Sequence, residues 1–153
     1  DRLVSAYHFL KNGGFNDKDR QFFKAHLSHY PSFDDFVKDW LTPQTLHWVH
    51  HFRPQSDYLS LTKQGRTPLN DLCFFENLDE DLAESPHPSI RTLQIPKTHH
   101  SPGSTTHYLD HYSKESLQIV ENLYREDIRL LGYNQDNRYL PHQLQARDQS
   151  FRS

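Results

Sequence analysis

The sequence predicts the mostly helical part of an α/β fold, and three observations carry that expectation. Apolar residues recur at helical spacing in several separated stretches, each opened or closed by a capping residue. Only Asp71 to Phe75 comes close to the continuous apolar run of a strand buried on both faces, where an α/β domain of this size should contain several. Hydrophobic residues make up only 34% of the 153-residue chain, yet aromatic residues reach 13%, too many for a typical disordered segment. The simplest account is a chain that keeps the helices and loops of one half of a fold and lacks most of its sheet. The absence of methionine fits a piece of a longer protein.

The first fourteen residues organise the rest. Leu3, Tyr7 and Leu10 fall on one helical face, Ala6 and Phe9 widen it, and Gly13-Gly14 supplies the stop. Arg2 and Ser5 sit near the start of this helix, where backbone N–H groups and the dipole favour an anion. Asn16 caps a helix predicted over Asp17 to His29, with Asp17 and Asp19 in its first turn to suit the dipole. Ser32 caps Phe33 to Leu41, with Asp35 at the capping-box position. Its stripe of Phe33, Phe36, Val37, Trp40 and Leu41 reads as packing surface. Thr42-Pro43 opens a short helix over Gln44 to His51.

After a polar turn at Lys63 to Pro68, Leu69 to Leu82 reads as a strand leading into a helix capped by Asn77, and Pro86 and Pro88 cut that helix short. Ile95 to Ser104 is a polar loop, and Tyr108 to Tyr112 a short helical approach. Ser113 then caps one long helix, Lys114 to Leu131, with Leu117, Val120, Tyr124, Ile128 and Leu131 on one face and Gly132 at C′. Residues 1–133 are expected to form the domain part and 134–153 a polar, flexible tail.

Charge and cysteine usage narrow the partners. Lys+Arg 17 against Asp+Glu 20 gives a formal −3, so no broad basic surface points to nucleic acid, whereas a phosphate pocket needs only local positive charge. The single Cys73 excludes an intrachain disulfide and shows no zinc spacing; it reads as a small buried hydrophobe, not a nucleophile. It favours a reducing, cytoplasmic compartment. No 18-residue apolar run is present, so no membrane segment is expected here, although an anchor to a Golgi-type membrane could precede the chain.

Several phrases, in order, resemble a known family. Asp1-Arg2-Leu3-Val4-Ser5-Ala6-Tyr7 resembles the second half of the 3′-phosphate-binding motif of sulfotransferases that use 3′-phosphoadenosine 5′-phosphosulfate (PAPS), in the branch of the carbohydrate 2-O- and 4-O-sulfotransferases and their bacterial relatives. There an Arg-x-Pro-x-x-Arg-Leu-x-Ser-x-Tyr pattern joins a strand to a helix, and its first Arg and its Ser hold the 3′-phosphate. That first Arg would precede Asp1. His51, Pro54, Gln55, Tyr58 and Leu59 fit the family's His-x-x-Pro-Gln-x-x-Tyr-Leu pattern. Phe75-Glu76-Asn77-Leu78 is similar to the end of its Gly-Arg-Phe-Glu-Asn-Leu phrase, with Cys73 in place of Gly and Phe74 in place of the basic residue. The loop at Ile95 to Ser104 resembles Leu-Pro-His-x-Asn-Lys-Ser, which closes over the nucleotide. Ser101 matches, while His99 and His100 replace Asn and Lys. A histidine of ordinary pKa, about 6.5, is mostly neutral at pH 7 and substitutes imperfectly for Lys. Tyr112 to Tyr133 resembles the family's closing helix.

This resemblance implies a P-loop-kinase-like sulfotransferase fold, α/β in class, of which this chain is the mostly helical C-terminal part. It implies transfer of a sulfuryl group from PAPS to an acceptor hydroxyl, most naturally on a carbohydrate, without a metal. Ser5 is the leading nucleotide contact, followed by Ser101 and His100, with Lys97 and Arg2 beside them; His51, Arg53 and Gln55 fall on the acceptor side. The family's phosphosulfate loop, its Lys and its usual catalytic base lie upstream of Asp1, so no catalytic residue is assigned and the chain alone is expected to be inactive. From the residues themselves, other readings stay open. His51 and Gln55 can fix an irregular loop by hydrogen bonds, Arg2 can serve as an ion-pair partner, and 95–104 can be a solvated loop. His47, His50 and His51, or His107 and His111, invite a metal, but no carboxylate or Cys completes either set at diagnostic spacing. A helical interaction module without chemistry is the remaining alternative.

Overall fold

The computed structural model describes residues 1–59, 72–95 and 107–133. It divides into two compact units, Asp1–Pro54 with Ser101–Glu126, and Gln55–His100 with Asp127–Ser153. The described residues are mostly helical. The helices are α1 (Arg2–Lys11), α2 (Asp17–Phe22), α3 (Phe33–Asp39), α4 (Leu78–Glu84), α5 (Pro88–Arg91), α6 (Lys114–Leu123) and α7 (Arg125–Leu131), and no strand occurs among the described residues. The predicted tail, 134–153, lies outside them.

In the first unit α1 forms as its spacing predicts, burying Leu3, Val4, Tyr7 and Leu10, with Ala6 and Phe9 half-buried beside them. The side chain of Asn16 accepts the N–H groups of Lys18 and Asp19 and starts α2. The predicted single helix to His29 does not form. Phe23–Leu27 is a π turn, which has more residues per turn and so lets Phe22, Phe23 and Leu27 share an inward face that α geometry would splay apart.

Ser32 caps α3 by accepting the Asp35 N–H at 3.1 Å, and Asp35 answers through its carboxylate, which accepts the Ser32 hydroxyl at 2.6 Å. The whole predicted stripe is buried, including Trp40 and Leu41 just past the helix end. Phe36 stacks on Tyr7 with ring centroids 5.0 Å apart and on Trp40 at 5.5 Å, and Phe52 closes the cluster at 5.3 Å. The short helix expected over Gln44 to His51 contracts to a 3-10 turn, Thr45–His47. The Thr45 hydroxyl explains this, since it donates to the Trp40 carbonyl at 2.8 Å and also accepts the Thr42 N–H at 2.8 Å.

Helix α6 packs on α3. Ser113 and Ser116 form its capping box. The inward face is Ser116, Ile119, Val120, Leu123 and Tyr124; Val120 and Tyr124 stand where the expected stripe puts them, while Leu117 is only half-buried and outside the core cluster. Fully buried Ser116 sets that register, because its hydroxyl is satisfied by the Ser113 carbonyl at 3.2 Å. Asp34 of α3 accepts the Ser113 N–H at 2.8 Å and pairs with Lys38 at 2.8 Å. Burial opposes its charge, yet Lys38, Ser116 and Ser113 outweigh that and hold the Asp34 carboxyl well below the usual range. The long helix predicted to Leu131 breaks at Tyr124 (φ −106, ψ 20). There the tyrosine ring enters the core and its hydroxyl donates to the Phe52 carbonyl at 2.5 Å.

In the second unit the strand expected before Leu82 is not formed over its described residues. Phe74 is extended (φ −92, ψ 136) but leads straight into a 3-10 turn, Phe75–Asn77, and then α4. Its N–H is taken by the Asp81 carboxylate at 2.6 Å, which leaves no donor for a ladder. Asn77 does stand at the N-cap, with its amide donating to Asp81 at 3.0 Å. The prolines act as read: α4 stops at Glu84, and α5 opens on Pro88. Asp127 is buried and accepts the N–H groups of Gln55 and Ser56 at 2.7 and 2.8 Å, so its charge is met by two backbone dipoles. Gly132 ends α7 at φ 62.

Candidate functional site

The site begins where α1 stops. Gly13 and Gly14 both take positive φ, 101° and 63°, and turn the chain back so that Phe15 and Asp19 meet. The Phe15 N–H donates to Asp19 Oδ2 at 2.9 Å, and the backbone of Gly14 lies so close that any Cβ there would sit 2.2 Å from the Asp19 Cβ. Asp19, expected as a first-turn acid that suits the helix dipole, is only 5% exposed. Its Oδ1 lies 3.3 Å from His51 Nε2, a partner thirty-two residues along the chain. The sequence carried no local sign of that pairing; the Gly-Gly turn five residues before the acid was its only trace.

His51 packs against two other rings. Its ring is 5.0 Å from Phe9 of α1 and 3.9 Å from the ring of His50. Phe9 also carries the ring of Phe15 at 4.6 Å. Burial lowers the proton affinity of His51, with the Asp19 hydrogen bond pulling the other way and the charges of His50 and Arg2 adding to the lowering. For Asp19, burial raises the pKa, but the Phe15 N–H and His51 outweigh it and the net direction is down. The two directions agree on an ionised Asp19 accepting from a neutral imidazole at pH 7. Nε2–H is then committed to Asp19, and Nδ1 is the nitrogen left for a ligand.

Arg2, Ser5 and Phe9 stand at i, i+3 and i+7 and so share one face of α1. The ring of His51 rests on Phe9 and so stands beside that face. Arg2 and Ser5 are both exposed, and the Ser5 N–H is already bonded to the Asp1 carbonyl at 3.0 Å, so its hydroxyl is the group it offers. Arg2 and Ser5 thus share with Phe9 the face of α1 on which the His51 ring rests. Arg53 is half-buried and reaches the His47 carbonyl through Nη2 at 3.4 Å, a loop-fixing bond. Gln55 belongs to the second unit, where its backbone is held by Asp127 and its side chain is exposed. Lys97, His100 and Ser101 lie outside the described residues.

A second histidine pair stands apart. His8 of α1 and His111 in the 3-10 turn Tyr108–His111 have ring centroids 5.2 Å apart, and His8 Nε2 is buried with no hydrogen-bond partner. Burial, then His111 and Lys11, lowers the His8 pKa. Among the described residues no three His, Cys, Asp or Glu side chains gather as a metal would need. For both His8 and His51 the folded state resists protonation, so the unfolded chain takes up protons first. Their contribution is present above about pH 6.5 and is lost as the pH falls through that value. Denaturation midpoints should therefore drop between pH 7.5 and 5.5. His8→Phe, which removes the orphaned nitrogen while keeping a ring, should flatten that slope and add roughly 1 kcal/mol at pH 5.5.

No family model, curated protein or solved structure matches the chain. Among the described residues no helix is long and apolar enough to cross a membrane.

Proposed function

We propose that this chain is the C-terminal part of a PAPS-dependent sulfotransferase, with the P-loop-kinase-like fold that its phrases resemble, acting on a hydroxyl of a carbohydrate. The observation that carries the reading is that Arg2 and Ser5 share a face of α1 with Phe9, against which the His51 ring packs at 5.0 Å. The resemblance assigns Arg2 and Ser5 to the donor nucleotide and His51 to the acceptor, and a sulfuryl transfer needs donor and acceptor side by side.

In that reading the Ser5 hydroxyl donates to the 3′-phosphate and Arg2 supplies local positive charge. The acceptor oxygen bonds to sulfur as the bond from sulfur to the bridging oxygen breaks, and the electron pair leaves on the 5′-phosphate of adenosine 3′,5′-bisphosphate. A base takes the acceptor proton and cations hold the leaving phosphate. By the resemblance the usual base and the phosphosulfate loop lie upstream of Asp1. The 153-residue chain is accordingly a binding half, without turnover of its own.

The test is calorimetric titration with adenosine 3′,5′-bisphosphate of the chain extended upstream through that loop, with Ser5→Ala beside it. Binding that weakens about tenfold or more in Ser5→Ala is the expected result, the effect of losing a hydrogen bond to a charged group. A folded protein that does not bind the nucleotide would sink the reading and leave a helical interaction module.

A further inference from the structure

We propose that Phe15 and His51 form a subsite for a sugar ring, its two halves held in place by the buried carboxylate of Asp19. This rests on the sulfotransferase reading, which puts the His51 segment on the acceptor side.

A pyranose presents two chemistries. Its axial C–H groups make an apolar face that lies flat on an aromatic ring, and its hydroxyls form a polar rim that needs hydrogen-bonding groups at the edge of that ring. Phe15 offers the first: its ring is 78% exposed. It is nonetheless held, by its ring contact with Phe9 at 4.6 Å and by its N–H to Asp19 at 2.9 Å. His51 offers the second, through the nitrogen that Asp19 does not occupy.

What makes this a site and not a stray surface ring is the shared support. One oxygen of Asp19 holds the Phe15 backbone and the other holds the His51 imidazole, while Phe9 touches both rings. A ligand that spans the two finds both already ordered, so little conformational entropy is lost on binding. Arg2, on the same face of α1 as Phe9, adds a donor on that side.

The experiment is an NMR titration of the full 153-residue chain with the methyl β-glycosides of glucose, galactose and N-acetylglucosamine, each alone, and separately with adenosine 3′,5′-bisphosphate. At least one glycoside should give saturable shifts of both the Phe15 ring and the His51 imidazole, with contacts from the sugar C–H protons to Phe15. Phe15→Ala should weaken that binding about tenfold, as expected for losing one apolar face, and Phe15→Trp should retain it. Because Phe15 is so exposed, neither variant threatens the fold.

Three results would overturn the proposal. They are the absence of any glycoside shift at Phe15 and His51, glycoside binding indifferent to Phe15→Ala, or shifts at Phe15 produced by the nucleotide and by no sugar, which would make it an adenine platform. Sugar binding that survives while the Ser5-dependent nucleotide titration fails would sink the sulfotransferase reading and keep the subsite.

Discussion

Phe36→Ala should cost about 3–5 kcal/mol, the range for removing a large aromatic from a filled core. Phe36 is completely buried, and its ring touches Tyr7, Phe33, Trp40 and Phe52, so it joins α1, α3 and the turn before Pro54 in one aromatic cluster. None of these neighbours can swing into the void without abandoning another contact, which is the condition under which a cavity stays open and costly. Urea denaturation should show the loss as a lowered midpoint, and near-ultraviolet circular dichroism should show weakened aromatic bands. Phe36→Leu, which keeps most of the volume, should cost only about 1.5 kcal/mol or less. Equal losses from both would mean that the stacking geometry, and not the filled volume, is what the cluster needs.

Gly14→Ala should be nearly as damaging, by about 3 kcal/mol or more, and it should also disarm the site. At φ +63 a side chain already strains the backbone by about 1–2 kcal/mol, and here its Cβ would fall 2.2 Å from the Asp19 Cβ and 2.7 Å from Oδ2. Asp19 would have to move, releasing the Phe15 N–H and His51 together. The informative comparison is Gly13→Ala, where the nearest atom is Arg20 Nε at 3.9 Å and only the backbone strain at φ +101 remains. Both variants should lose stability, but the His51 imidazole resonances should shift in Gly14→Ala alone. A Gly14→Ala protein with wild-type stability and an unmoved His51 would contradict the packing described here.

Local rules were legible in the sequence, and distant ones were not. Asn16, Ser32 and Ser113 could be read as caps because a cap bonds within three residues of itself. The stripe of α3 could be read because its period is its own. The π turn at Phe23–Leu27, the contraction to Thr45–His47 and the break at Tyr124 could not, since each yields to a tertiary demand: three apolar side chains wanting one face, a threonine hydroxyl reaching Trp40, a tyrosine hydroxyl reaching Phe52. Asp19 illustrates the same limit at the site. In a first turn, an aspartate looks like a partner for the dipole, and nothing within its own helix reveals that its two oxygens are spoken for by Phe15 and His51. His51 itself stood out through the motif that it resembles and through its cluster with His47 and His50, and the structure adds what neither holds, a buried carboxylate 3.3 Å from its Nε2.

The hydrogen bond from Tyr124 to Phe52 fastens together two points seventy-two residues apart, and the one from Ser113 to Asp34 spans seventy-nine. The first unit is thus a discontinuous body with a long excursion of chain leaving at Pro54 and returning at Ser101. Closing such an excursion carries an entropic penalty that grows only with the logarithm of its length, so doubling it would add about 0.6 kcal/mol. The excursion is accordingly where insertions and deletions are cheapest for the aromatic cluster, and related chains should differ most in length there while keeping the residues at its two anchored ends.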